Sequence, residues 1–574
     1  MRDEDVEMYE QETAVIDGVH SAGSESDGCD VSTAIEETTR KWRLNVEQRR
    51  AFKIVASHTA DEKPEQLLMH LGGPGGTGKS RVVNALREFF DLRGEARRFR
   101  LAAYTGVAAR NIGGATLHSL LQLNELGRKS SAKTKRELAA MWEGVDYLFI
   151  DEVSMIGCEF LHNISSALTE AKGMTVAFGG VNVIFAGDFA QLPPIGDVRL
   201  YKNVDTGKAS MGSGNRAQAK VLGRLLWLSV DTVVILHETM RQAGSENVSF
   251  VGLLHRLREG LCTRADYALL ANRCLENLSV AVSDEWKMAP VIVSNNAVRD
   301  AINVRATEAF AERTGRELIW YHAIDTHRKA TITDPALIEK LESQHSGQTK
   351  HRLRRIPLVI GMPVAVNQNS DVKAGVVNGS WGYLRAARYS TDDTGNRHLN
   401  SCIVEVTGAD GEEMPHLPPQ HFPILADTTD ITYEHSASHK RCVIKRKQVP
   451  IEPGFAMTAH KAQGQTMKRV VLDLAGCSGT EQPYVMISRS TSLEGLFILR
   501  EFSFGQISKR RSEDLRKEFV RLEKLRLQTT IKYGSDEEVG EARGALHGLQ
   551  GNGRTGKRRA TAEDETNPRK KGRA

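Results

Sequence analysis

Short apolar runs recur along the chain at residues 67–71, 100–103, 147–150, 181–185, 233–236, 291–294, 470–474 and 496–499. Each has the length of a strand, and stretches with helical periodicity separate them. This alternation predicts an α/β fold with mainly parallel sheets, in which ligands bind beyond the carboxyl ends of the strands. The texture changes between about 355 and 450. Runs such as 363–366 and 401–406 there alternate with Gly, Asn and Asp turns, and Asn378-Gly379 signals a tight turn, so a small β-rich insertion is predicted. Trp381 beside that turn reads as core rather than as a base-stacking ring. Residues 1–40 are rich in Asp, Glu, Ser and Thr and predict an acidic disordered tail. Beyond about Ser512 a charged helical stretch leads into a Gly-, Arg- and Lys-rich tail, again predicted disordered.

Composition narrows the class. The chain has 574 residues, 40% hydrophobic and 26% charged, ordinary values for a soluble globular protein with several domains. A net charge of +5 neither marks nor excludes nucleic acid, because an acidic tail can mask a basic face. The seven cysteines are scattered, with no C-x-x-C pair, and read as reduced thiols of an intracellular protein. His237-Glu238 begins like the zinc motif H-E-x-x-H, but Arg241 fills the second histidine position. No run is long and apolar enough to span a membrane, and the N-terminus has no secretory h-region.

Candidate chemistry starts at Gly73-Pro74-Gly75-Gly76-Thr77-Gly78-Lys79-Ser80, which reads G-x-x-x-x-G-K-S between a predicted strand and a predicted helix. Glycines let the backbone curl and aim N–H groups at phosphate oxygens, and the helix N-terminus adds partial positive charge. Lys79 is placed to reach the β/γ-phosphates and Ser80 to hold Mg²⁺. Gly73, Gly75 and Gly78 also spell the dinucleotide fingerprint G-x-G-x-x-G, but the following Lys79-Ser80 favours a triphosphate. A kinase glycine loop is excluded because Ser80 stands where it needs Val.

Two further strand ends carry polar groups. Residues 147–150 deliver Asp151 and Glu152; Asp151 can share the Mg²⁺ and Glu152 can polarise an attacking water. Residues 181–185 lead into Gly187-Asp188-Phe189-Ala190-Gln191-Leu192-Pro193-Pro194, where the bifunctional Gln191 suits sensing of a γ-phosphate or water. Arg241 and Arg489 are far away in sequence; guanidinium forks suit phosphate and can stabilise a transferring phosphoryl group from a second domain.

Together these motifs resemble the superfamily 1 DNA helicases, most closely the Pif1-like branch. The resemblance runs from about Leu44 to about Leu499 and includes Phe178-Gly179-Gly180, a glutamine motif at 44–48, strand-contacting motifs at 105–109 and 114–119, and motifs at 236–242, 458–466 and 484–489. It implies two RecA-like P-loop motor domains at 41–230 and at 231–354 plus 451–511. It also implies a wedge-type insertion at about 119–140 and an SH3-like insertion at 355–450 that helps enclose a single strand, with 1–40 and 512–574 as tails. By the same resemblance Gln48 reads adenine and Gly464 joins Gly73, Gly75, Gly76, Thr77 and Gly78 around the nucleotide. Thr105, Gly106, Thr116, His118, Thr458, His460 and Lys461 would hold DNA. Read singly, small and cationic groups at strand or helix ends can hold phosphates without reading sequence, but can equally be caps.

The expectation is an ATP- and Mg²⁺-dependent motor, monomeric, acting on single-stranded DNA and on a duplex or fork. The resemblance implies 5′-to-3′ travel and work in repair, recombination or telomere maintenance. The competing readings are a translocase that does not unwind, an ATP-dependent DNA-binding protein derived from a mobile element, and a small-molecule kinase, which leaves the arginine-bearing second half unexplained. Lys557-Arg558 and Arg569-Lys570-Lys571 are spaced like a bipartite nuclear-import signal, or form a solvated basic tail. Nuclear residence is expected; the family allows a mitochondrial fraction, although the acidic N-terminus makes a poor transit peptide.

Overall fold

The computed structural model describes residues 30–560, apart from 62–63, 124–131, 205–213, 243, 245–246, 278–283, 372–373, 410–415 and 435–440. The first apolar runs form β1 (Leu68–Gly72), β2 (Phe99–Ala103), β4 (Tyr147–Asp151), β5 (Asn182–Gly187) and β6 (Thr232–Ile235), with the two-residue β3 (Ala115–Thr116) at the edge. All six are parallel, in the order β3-β2-β4-β5-β1-β6. Helices cover both faces, which is why β1 and β5 are buried at every position. Val46–His58 and Lys79–Leu92 pack one face through Phe52, Val83, Leu86 and Phe89; Cys158–Lys172 packs the other through Leu161, Ile164 and Leu168. The chain enters β5 through Phe178, Gly179 and Gly180, all at positive φ (53°, 59° and 77°). A β-carbon at Gly179 would strike the Leu168 carbonyl, so glycine is required there.

The second parallel sheet orders its strands Ala456–Thr458, Val291–Val293, Val470–Leu472, Leu496–Ile498. Its core gathers Ile292, Leu472, Val485, Met486 and Leu496. All eight sequence-predicted strands are present, with ends shifted by a residue or two. Ala115–Thr116 and Ala456–Thr458 were not expected, because their runs are too short to stand out.

The β-rich region is larger than predicted. Ile319–His322 pairs with Arg355–Leu358, and Ile324–His327 pairs with Arg441–Gln448, so its strands begin well before residue 355. Their mixed aromatic and polar sequence hides them: only pairing across the chain makes them strands. Trp381 is half-buried and donates its indole N–H to the Gly454 carbonyl at 3.0 Å.

Both tails also depart from expectation. Residues 1–29 lie outside the described residues, but Val31–Trp42 is a helix rather than disordered chain. Asp30 caps it, Ala34 and Thr38 are buried, and the Trp42 indole donates to Glu88 at 2.7 Å. Its charged exposed face, with Glu36, Glu37, Arg40 and Lys41, and the polar Thr38 on its buried face disguised this amphipathic pattern. At the other end Glu513–Tyr533 returns to the first domain, burying Leu515 and Leu522 in its core. There Trp227 donates to Glu518 at 2.8 Å and the Val233 N–H donates to the Thr529 hydroxyl at 2.9 Å. A second helix, Asp536–Ala560, follows where a disordered tail was expected. The basic cluster at 569–571 and the middle of the 119–140 insertion lie outside the described residues; the remainder of that insertion includes the helix Ala132–Trp142, with Trp142 buried.

Candidate functional site

The P-loop joins β1 to the helix Lys79–Leu92, with φ of 149° at Gly73, 87° at Gly76 and 83° at Gly78. Gly78 is the N-cap of that helix, and a β-carbon there would collide with the Gln48 amide. The loop is strapped to the strand exit beside it: the Met240 N–H donates to the Gly76 carbonyl at 2.7 Å and the Leu236 N–H to the Gly72 carbonyl at 2.9 Å. Thr77 is buried and its hydroxyl donates to the Pro74 carbonyl at 3.0 Å, while Ser80 is exposed at the helix start. Lys79 donates to the carbonyls of Gly73 (2.8 Å) and Pro74 (2.9 Å). Burial holds its ammonium below the ordinary lysine range, against the pull of Asp188, Asp151 and Glu152.

Asp151 and Glu152 end β4 at the neighbouring strand tip. Burial, reinforced by Glu152, raises the Asp151 pKa, and the Glu152 N–H donates to Asp151 at 2.8 Å. Glu152 is buried with φ of 56°, a conformation that costs a non-glycine residue about 1 kcal/mol or more. Gln191 follows β5 and is buried, and its Oε1 has no hydrogen-bond partner. A buried amide oxygen without a partner costs about 1–3 kcal/mol, which a polar ligand or water can relieve.

The cations come from two sides: β6 belongs to the first sheet rather than opening the second domain at 231 as expected, so Arg241 hangs from the first sheet, and Arg489 comes from the second. A β-carbon at Gly75 would lie 3.3 Å from Arg241 Nη1, 3.3 Å from Arg489 Nη2 and 3.9 Å from Gln191 Nε2. Arg489 is 1% exposed and donates to the carbonyls of Val485 (2.8 Å) and Gln465 (3.1 Å). Burial and then Arg241 push its pKa down. Two guanidinium groups converging on a glycine of the P-loop form a site made for a polyanion. Gly464, at φ 84°, closes the far side: a β-carbon there would sit 3.4 Å from Glu152 Oε1. The domains are further latched by Asp188, whose carboxylate takes both arms of Arg258 (2.8 and 2.9 Å) and the Tyr484 hydroxyl (3.2 Å).

Gln48 has a different setting from the one expected. It is fully buried, its Oε1 accepts from the Asn45 N–H at 3.2 Å in a capping box, and its Nε2 donates to the Thr77 carbonyl at 3.2 Å. It braces the P-loop as well as bordering the site.

The residues expected at DNA fall in two groups. Thr105 caps the helix Gly106–Asn111 and Thr116 caps Leu117–Leu120, so both hydroxyls serve the backbone. Gly106 is packed against the β-rich region, where a β-carbon would lie 3.0 Å from Val377 and 3.2 Å from the Asn378 carbonyl. His118 stacks on Phe160 at 4.8 Å. Thr458 leads into the short helix Ala459–Ala462, with no side-chain cap bond of its own. Burial lowers the imidazole pKa of both His118 and His460, so neither is a ready cation. Lys461 is engaged by Glu452 (2.5 Å) and Asn367 (2.7 Å).

One residue at the site escaped the sequence reading. Gln463 donates to Glu152 Oε2 at 2.8 Å and to the Ser154 hydroxyl at 3.3 Å. Its position inside the 458–466 motif was the available signal; its role depends on a fold-level approach of two domains.

Residues 43–267 match the family model described as PIF1-like helicase. The "ATP-dependent DNA helicase PIF1" of Xenopus laevis is 26% identical over 440 residues, covering 74% of this chain and 58% of that protein. The chain thus spans less than two thirds of that relative. Among solved structures, the Pif1 helicase from Candida albicans superposes with a TM-score of 0.59 at 20% identity, covering 83% of this chain and 98% of that one. The Pif1 helicase from Bacteroides in complex with ADP-AlF3 and ssDNA superposes with a TM-score of 0.57 at 21% identity, covering 83% and 96%. The resemblance to Pif1-like helicases, and the fold that goes with it, extend over most of the chain.

Proposed function

We propose that this chain is an ATP-dependent DNA helicase that couples ATP hydrolysis to 5′-to-3′ travel on single-stranded DNA and to duplex unwinding. The observation that carries the reading is the meeting of Gln191, Arg241 and Arg489 at Gly75. A P-loop protein that merely binds nucleotide has no need of a buried arginine, Arg489, brought in from the second domain to meet Arg241 over the loop.

In this reading the loop N–H groups and Lys79 hold the phosphates. The unpartnered Gln191 Oε1 and the two guanidinium groups close over Gly75 fit a γ-phosphoryl group and its water. Ser80 and Asp151 would hold Mg²⁺, which supplies charge neutralisation between the phosphates. Glu152 takes the proton of the attacking water. Arg241 beside the P-loop and Arg489 from the other domain stabilise charge on the transferring group. Because both domains grip the nucleotide, its presence favours the closed cleft, and hydrolysis removes that bias. The DNA, lying across both domains, is released and regripped in each cycle.

Direction, monomeric action, the DNA-maintenance role and nuclear residence rest on the relatives and on the basic C-terminal sequence. Hydrolysis with and without single-stranded DNA tests the site: DNA-stimulated turnover is expected, and its persistence after Lys79→Ala would contradict the assignment.

A further inference from the structure

Glu152 is the only carboxylate assigned to water activation in the reading above, yet one of its oxygens is already taken. Gln463 reaches across from the second domain and donates to Glu152 Oε2 at 2.8 Å. Its other N–H points at the Ser154 hydroxyl, 3.3 Å away. The amide is 3% exposed and its own Oε1 has no partner, so it is held by its donors alone. The next residue, Gly464, leaves open the space beside Glu152 Oε1 that a β-carbon would fill, and its carbonyl accepts from Asn111 at 3.3 Å.

Gln463 is also the C-cap of the four-residue helix Ala459–Ala462. Thr458, His460 and Lys461, which the family resemblance places at DNA, lie within five residues of it. A shift of that helix by an ångström is enough to break a 2.8 Å hydrogen bond. A carboxylate oxygen that accepts an amide N–H is less open to a water molecule than a bare one.

We propose that Gln463 is a positioning residue that restrains the hydrolytic base when no DNA is bound, and that DNA engagement of residues 458–461 withdraws it. The inference rests on the helicase reading of the site. Its chemistry is a proton-acceptor site switched by a neutral amide: with Gln463 in place Glu152 Oε2 is occupied, and with Gln463 withdrawn that oxygen accepts the proton of water. DNA stimulation of turnover then has a specific atomic origin, the loss of one hydrogen bond.

Gln463→Met keeps the bulk and removes both donors. With that charge-assisted hydrogen bond lost, DNA-free turnover of the full chain is expected to rise about tenfold or more. Turnover with saturating oligo-dT should stay near wild type, so the stimulation ratio falls towards one. Ser154→Ala, which removes the second anchor, should move the ratio the same way by a smaller factor. An unchanged ratio in both variants, or an equal fall with and without oligo-dT, overturns the proposal. If the wild-type chain itself has no DNA-stimulated hydrolysis, it is the helicase reading that fails.

Discussion

At the residue scale the account depends on a few side chains with distinct jobs. Glu152→Gln keeps shape and hydrogen bonding but cannot take a proton, so turnover should fall by about 10²–10⁴ while ATP binding survives; turnover near wild type would remove its role. Arg489→Ala should likewise spare binding and cost roughly 10³ or more in turnover, as expected for a cation that acts on the transferring group. Nucleotide titration beside steady-state hydrolysis separates the two effects. Lys79, Asp151 and Glu152 were readable because chemistry fixes their spacing from a strand end. Gln463 was not, because its partner lies in another domain. The setting of Gln48 was hidden for a related reason: a glutamine that caps its own helix and braces a loop carries the same letter as one that reads a base.

At the element scale, β1 makes stability depend on pH. His70 on β1 is 2% exposed, faces Phe189 and Trp227, and its Nδ1 hydrogen bonds the Phe185 carbonyl at 2.9 Å. Burial lowers its pKa from 6.5 to about 4. The unfolded chain therefore takes up a proton in that window that the folded chain refuses, and stability falls as pH drops from 6.5 towards 4, by about 3 kcal/mol in full. The thermal midpoint of His70→Gln should fall less between pH 7 and pH 5 than that of wild type; equal losses would contradict this. The helix Glu513–Tyr533 is the second case. Leu522 is 1% exposed in the first domain's core, so Leu522→Ala should cost about 3 kcal/mol and release the helix to protease. Unchanged cleavage would show that the helix does not need this anchor. The sequence exposed this segment as a charged helix but not its destination, because a single apolar stripe does not say which domain it covers. The β-rich region was underestimated for the same reason: Ile319–His322 becomes a strand only when paired with residues 355–358.

At the scale of the whole molecule, several contacts join the two parallel sheets around one cleft. Asp188 binds Arg258 and Tyr484, Gln463 binds Glu152, and the C-terminal helix crosses back to the first domain. Phe519 of that helix lies between Arg258 and Arg511, 5.0 and 4.3 Å from its ring centre, and packs against the cores of both domains. Contacts of this kind permit small rotations about fixed points rather than wide separation. The central claim is that these motions are driven by hydrolysis and move DNA. Its most direct test is ATP-dependent unwinding of a duplex with either a 5′ or a 3′ single-stranded tail, with Glu152→Gln as control. The account predicts unwinding of the 5′-tailed duplex alone and none by the control. Unwinding of neither duplex, with DNA-stimulated hydrolysis intact, would contradict it and leave a translocase.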